Sequence, residues 1–259
     1  TASVKTYAAD AILTDSAAAG TAMATGVKTK NGVIGKNAQL ENVQNILDRA
    51  IKAGKKVGIV TSTHIFHATP ASFFAHAVHR NNNEEMGRDI LKTKVDLIFG
   101  GGQKVLSPYR KALEKNFLVV DELSAIKGCP KKKVIGVFSK GHIPYVYNRT
   151  KKDTVNLKNM TKKAIECLAD APKGFVLMVE GGRIDHALHK RKIVHALFEA
   201  KEFDDTIGNS IKQLKDLGLL KDTLILSTAD HDTGGLSVNY PLSDDLGLFH
   251  KEKGKLVIN

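Results

Sequence analysis

Short apolar runs alternate with longer amphipathic stretches along this chain. Lys56–Thr61, Val95–Phe99, Phe117–Val120 and Lys133–Phe138 read as buried strands, and Gly174–Val179 and Thr223–Ser227 are the clearest of the set. Each is short, rich in β-formers and bounded by Gly, Asp or Lys. Between them, Leu40–Ala53 places Val43, Ile46, Leu47 and Ile51 on one helical face, and Leu157–Leu168 and Ile184–Leu217 carry similar patterns. This alternation predicts an α/β fold, a mostly parallel central sheet with helices on both faces. No internal repeat, low-complexity linker or composition break interrupts it, so residues 1–259 are expected to belong to one domain.

Composition adds limits rather than an identity. The 259 residues are 42% hydrophobic and 25% charged, within the ordinary globular range, which argues against a disordered or disulfide-dense protein. No window approaches the roughly 18 apolar residues of a membrane span. The N-terminus, Thr1-Ala2-Ser3-Val4-Lys5, does not resemble a signal peptide and lacks an initiating Met. A net charge of +12 favours anionic partners, but most lysines are scattered, and Lys131-Lys132-Lys133 reads as a solvated turn. No interleaving of basic and aromatic residues suggests a stacking platform, so no specific nucleic acid is expected as a partner. Cys129 and Cys167 could pair or stay free.

The carboxyl ends of strands gather working groups in open α/β sheets, and here the loops after the strands are rich in potential ligands. Val179 leads into Glu180-Gly181-Gly182-Arg183-Ile184-Asp185-His186-Ala187-Leu188-His189. Asp185 and His189, four apart, share one face of a helix, and a carboxylate with an imidazole suits Zn²⁺. Glu180 is placed to serve a separate, harder ion. The run Ser227 to Gly235 carries adjacent Asp230 and His231, which converge on a metal only where the backbone turns sharply; Gly234-Gly235 supplies such a turn. In Asp15-Ser16-Ala17-Ala18-Ala19-Gly20-Thr21, either Asp15 or Ser16 could simply cap a helix. Alternatively, Ser16 is a nucleophile at a helix start that favours anions. Thr69-Pro70 can open a helix, with Arg80 about three turns on; its guanidinium is either a solvated side chain or a bidentate phosphate clamp.

Taken together, Asp15–Thr21, Val179–His189, Thr228-Ala229-Asp230-His231, His67-Ala68-Thr69-Pro70 and Arg80 resemble the motifs of the alkaline phosphatase family, in the family's order and across nearly the whole chain. The resemblance implies an alkaline-phosphatase-like fold, with residues 1–259 an incomplete catalytic domain. It also implies a phosphomonoesterase working through a phosphoserine at Ser16, with two Zn²⁺ and one Mg²⁺. Asp185 and His189 resemble ligands of the zinc that activates water, Asp230 and His231 those of the zinc beside the nucleophile, and Thr69 and Glu180 magnesium ligands. Arg80 resembles the phosphate-binding arginine. His67 and His186 match variable positions near the metals that tune metal preference and rate. The family's upstream bridging Asp and downstream zinc His have no match here, so a chain cut at both ends is expected. Phosphate monoesters and inorganic phosphate are the implied partners, a homodimer the implied assembly, and the periplasm, cell surface or exterior the implied location. A phosphodiesterase or sulfatase relative, and a catalytically incomplete phosphate-binding fragment, remain as alternatives.

Overall fold

The structure, a computed structural model, describes residues 3–150 and 153–236, and the backbone of residues 249–252 and 255–258. In chain order, α1 is Ser16–Thr25, α2 Ile46–Lys52, β1 Lys56–His64, α3 Ala68–Ala71, α4 Asn83–Ile90 and β2 Leu97–Gly101. Two one-turn helices follow, α5 Gln103–Leu106 and α6 Arg110–Leu113, and then β3 Phe117–Val120 and β4 Lys133–Val137. The remainder is α7 Leu157–Leu168, β5 Phe175–Glu180, α8 Arg183–His189, α9 Ile193–Asp216, β6 Phe249–Glu252 and β7 Lys255–Ile258.

β1 to β5 form one sheet in the order β3-β4-β2-β1-β5, and every pairing in it is parallel. β6 and β7 pair antiparallel as a separate two-stranded sheet. Side chains alternate across the central sheet as a period of two requires. Val57, Ile59 and Ile98 pack on one face with Leu47 and Ala50 of α2 and Met86 and Ile90 of α4. Val60, Leu97 and Phe99 pack on the other with Leu157, Met160 and Ala164 of α7. The doubly covered α/β architecture expected from the apolar pattern is therefore present.

Four local expectations are corrected. Thr223–Ser227 forms no strand: Leu224 and Leu226 are each 81% exposed, and no ladder joins them to a neighbour among the described residues. β-formers make a strand only when a partner edge satisfies their backbone groups. Leu40–Ala53 starts its helix late, at Ile46, because Asn45 and Asp48 form a capping box there. The Ile184–Leu217 periodicity splits into α8 and α9 where Arg191 takes a left-handed backbone (φ 54°). Finally, Arg80 does not lie along a helix begun by Thr69-Pro70. α3 ends at Ala71, and the chain returns through an Ile34–Ala77 bridge that lets the Arg80 N–H donate to the Gly32 carbonyl at 2.6 Å.

Candidate active site

The small residues after Ser16 let α1 sink into the protein: Ser16, Ala17, Ala18, Ala19, Gly20, Thr21 and Ala24 are all buried. Gly20 is the point of closest approach, where a Cβ would stand 3.2 Å from Thr69 Cα and 3.1 Å from Ser72 Oγ. That packing brings the start of α1 against α3. Asp15 is the N-cap, accepting from the Ala18 N–H at 2.9 Å, so Ser16 is left free of capping. Its Oγ lies 2.9 Å from His231 Nε2, across 215 positions of sequence.

The His231 tautomer follows from its other contact. Nδ1 is 3.0 Å from the Asp232 carbonyl, which can only accept, so Nδ1 carries a proton and, in the neutral ring, Nε2 the lone pair. Ser16 therefore donates to His231. The same Nε2 lies 3.2 Å from Asp230 Oδ2, which sets two acceptors face to face. An imidazole lone pair and a carboxylate oxygen facing one point suit a shared cation. Asp185 and His189 form the second pair, Oδ1 to Nε2 at 3.3 Å on one face of α8. Thr233 joins the pairs by donating to Asp185 Oδ1 at 2.6 Å.

Glu180 ends β5 among hydroxyls. Thr61 and Thr63 of β1 donate to its carboxylate, and Thr69 of α3 stands beside it. Gly182 makes the fold-back possible, since a Cβ there would come within 2.5 Å of both Glu180 Oε1 and Thr63 Cγ2. Burial, and then the negative charge of Asp230, push the Glu180 carboxyl up to about 7 against the pull of the three threonines. A carboxylate held among oxygens beside a second carboxylate fits a hard cation. Among the described residues no three His, Cys, Asp or Glu side chains converge as a ready-made metal site; the candidate ligands stand in pairs.

Arg80 is fixed from two sides. Nη1 donates to Asp15 Oδ2 at 3.1 Å and Nη2 to His67 Nε2 at 3.4 Å. Burial alone would raise the Asp15 carboxyl, but the N–H groups of Ala18 and Gly32 and the Arg80 guanidinium outweigh it and hold it below its usual range. Arg183 Nη1 donates to His186 Nδ1 at 2.9 Å, which leaves the His186 proton on Nε2, 3.1 Å from His67 Nε2. The chain therefore runs Arg183 to His186 to His67, and His67 also accepts from Arg80. Both imidazoles must be neutral for this pattern. Burial and adjacent positive charge do push His67 down to about 2 and His186 to about 4. His64 and His142 complete a four-imidazole cluster, their rings stacked at 4.8 Å, with His142 4.4 Å from His186.

A cleft of about 340 Å³ opens here, lined by His64, His67, Arg80 and Asn81 among others. A larger hollow of about 430 Å³ lies among Leu91, Phe117 and Lys131–Lys133, and no candidate site residue lines it. Of the candidate residues, His67 and Arg80 line the smaller one. The motif reading missed Thr61, Thr63, Thr233, His64, His142 and Arg183. Thr61, Thr63 and His64 sit at the end of β1 and His142 in the loop after β4, where the rule of carboxyl-end loops points.

The alkaline phosphatase family profile matches residues 1–116 and 109–253. Alkaline phosphatase 4 of Bacillus subtilis is 38% identical over 87% of this chain and 50% of its own length. The human tissue-nonspecific alkaline phosphatase is 34% identical over 88% of this chain and 54% of its own. Among solved structures, the cold-active alkaline phosphatase of a psychrophilic Shewanella superposes with a TM-score of 0.78 at 33% identity, covering 82% of this chain and 54% of that one. A histidine-to-aspartate variant of the TAB5 alkaline phosphatase, with magnesium in its M3 site, superposes with a TM-score of 0.83 at 28% identity over 99% of this chain and 73% of that one. The chain spans about half the length of the curated relatives it matches. With the motif loops gathered at one end of a parallel sheet and a family profile covering most of its residues, the chain belongs to the alkaline phosphatase family.

Proposed function

We propose that this chain carries most of the catalytic machinery of a phosphomonoesterase that works through a phosphoserine at Ser16. The observation that carries the reading is the 2.9 Å contact between Ser16 Oγ and His231 Nε2, which puts the one uncommitted hydroxyl at the start of α1 onto the ligand-rich loop. Asp230 and His231 would hold one zinc ion, Asp185 and His189 a second, and Thr69 and Glu180 a magnesium ion, as the M3 magnesium of the TAB5 relative supports. Bound there, these cations supply Lewis acidity to oxygens on phosphorus and lower the pKa of hydroxyls beside them.

The protein's own groups do the rest. Ser16 gives up its hydroxyl proton as Oγ bonds to phosphorus and the ester bond breaks in line, the departing alkoxide taking up a proton to leave as the alcohol. Water then cleaves the phosphoserine, releasing inorganic phosphate and restoring the serine hydroxyl. Arg80 holds two non-bridging oxygens while charge redistributes over them. Asp15 and His67 keep the guanidinium plane fixed, and the neutral state of His67 and His186 leaves Arg80 the positive charge facing the phosphate on that side. Small phosphate monoesters and inorganic phosphate are the proposed partners, with a homodimeric assembly outside the cytoplasm. No described helix is long and apolar enough to cross a membrane.

The test compares rates on a phosphate monoester, a phosphate diester and a sulfate ester, with zinc and magnesium supplied and then chelated. The monoester should be favoured, its turnover should vanish on chelation, and acid quench should trap phosphate on Ser16. Preference for the diester or sulfate, or no turnover of any ester by the metal-loaded protein, overturns the reading. Arg80→Lys should raise KM for the monoester roughly tenfold, because a point charge replaces two charge-assisted hydrogen bonds. An unchanged KM would remove Arg80 from the substrate.

A further inference from the structure

We propose that Cys129 and Cys167 form an intramolecular disulfide tying the turn before β4 to the last turn of α7. Sequence leaves the pair undecided; the fold brings them together. Cys129 is exposed in the turn Gly128-Cys129-Pro130, and Cys167 is half-buried near the end of α7, where it packs against the core cluster of that face. The Cys129 thiol stands close enough to Cys167 to perturb it. Cys167 Sγ also donates to the Gly128 carbonyl at 3.6 Å, and Lys163 Nζ of α7 donates to the same carbonyl at 3.4 Å. The turn is thus already seated on the helix. Gly128 has φ +57°, and a Cβ there would meet nothing within 4 Å, so the turn is open on that side.

Burial and the neighbouring thiol push Cys167 up to about 12, so it is a neutral thiol at ordinary pH and a poor first attacker. The exposed Cys129 meets the oxidant first. A low-molecular-weight disulfide such as oxidised glutathione supplies the oxidising equivalents. Cys129 sulfur attacks it and forms a mixed disulfide, releasing one thiol. Cys167, deprotonating as it reacts, then attacks Cys129 sulfur and releases the second. Two protein thiols are oxidised and one small disulfide is reduced to two thiols. The bond closes a loop between positions 129 and 167 that includes β4, which reduces the freedom of the unfolded chain. Both cysteines lie at the amino-end rim of the sheet, opposite the candidate active site.

The experiment equilibrates the purified protein with oxidised glutathione, alkylates remaining thiols and maps the digest. The expected result is a Cys129–Cys167 cross-linked peptide, an intact mass lower by two hydrogen atoms, and an apparent Tm about 5 °C or more above the reduced protein. Cys129→Ser and Cys167→Ser should each abolish the cross-link and bring Tm to the reduced value. Full alkylation of both cysteines after oxidation, glutathione retained on either one without the cross-link, or cross-linking only between molecules overturns the proposal.

Discussion

Replacing Ser16 by alanine should lower turnover of a phosphate monoester by about 10³-fold or more while leaving the fold in place. It should also remove the phosphate label that acid quench traps on the wild-type protein. Ser16 sits where serine is most often only a helix cap, and a lost cap costs about 1 kcal/mol of stability. Here the cap is Asp15, whose carboxylate takes the Ala18 N–H, while Ser16 Oγ points to His231 instead. The two readings therefore separate by residue. Asp15→Ala should lower thermal stability and, by releasing Arg80, weaken phosphate binding; Ser16→Ala should leave stability nearly unchanged and remove the nucleophile. Circular dichroism melts beside initial rates decide between them. Full turnover by the alanine variant, or a phosphate label that persists on it, would end the phosphoserine mechanism.

The same residues show what sequence can and cannot reveal. Buried parallel strands announce themselves through continuous apolar runs, and five of the six expected were present because each has a neighbour on the sheet. Thr223–Ser227 has the same composition without a ladder, and composition cannot supply the missing edge. Asp185 and His189 were legible because helical spacing alone sets them on one face. The Glu180 cradle was only half legible. Thr69 falls within a motif, but Thr61 and Thr63 look like ordinary β-branched strand residues, and only the register of β1 against β5 sets Thr61 opposite Glu180. The link from Arg183 through His186 and His67 to Arg80 was invisible for another reason: it depends on which ring nitrogen carries each proton, and distances fix that where spacing does not.

Glu180→Gln should stabilise the metal-free protein and destabilise the magnesium-loaded one. The Glu180 carboxyl titrates near 7 in the fold against its ordinary 4.5, chiefly through burial and secondarily through the charge of Asp230. Between those values the folded chain holds a proton that the unfolded chain has already lost, so stability of the metal-free fold falls as pH rises through this window. Above about 7 the loss is complete. Glu180 is half-buried as a residue, and solvent screening trims the full linkage value to about 2 kcal/mol. Glutamine keeps a side-chain oxygen for the threonine hydroxyls without the charge. Its advantage in the presence of a chelator should be absent near pH 4.5, grow through the window and level off near pH 8. Magnesium should reverse the order, because an amide cannot replace the charge of the carboxylate beside Thr69. Melts of both proteins across pH, with chelator and with magnesium, test the two halves separately. An advantage that does not vary with pH would detach the carboxyl from the fold's pH response. Equal magnesium stabilisation of variant and wild type would remove Glu180 from the proposed magnesium site.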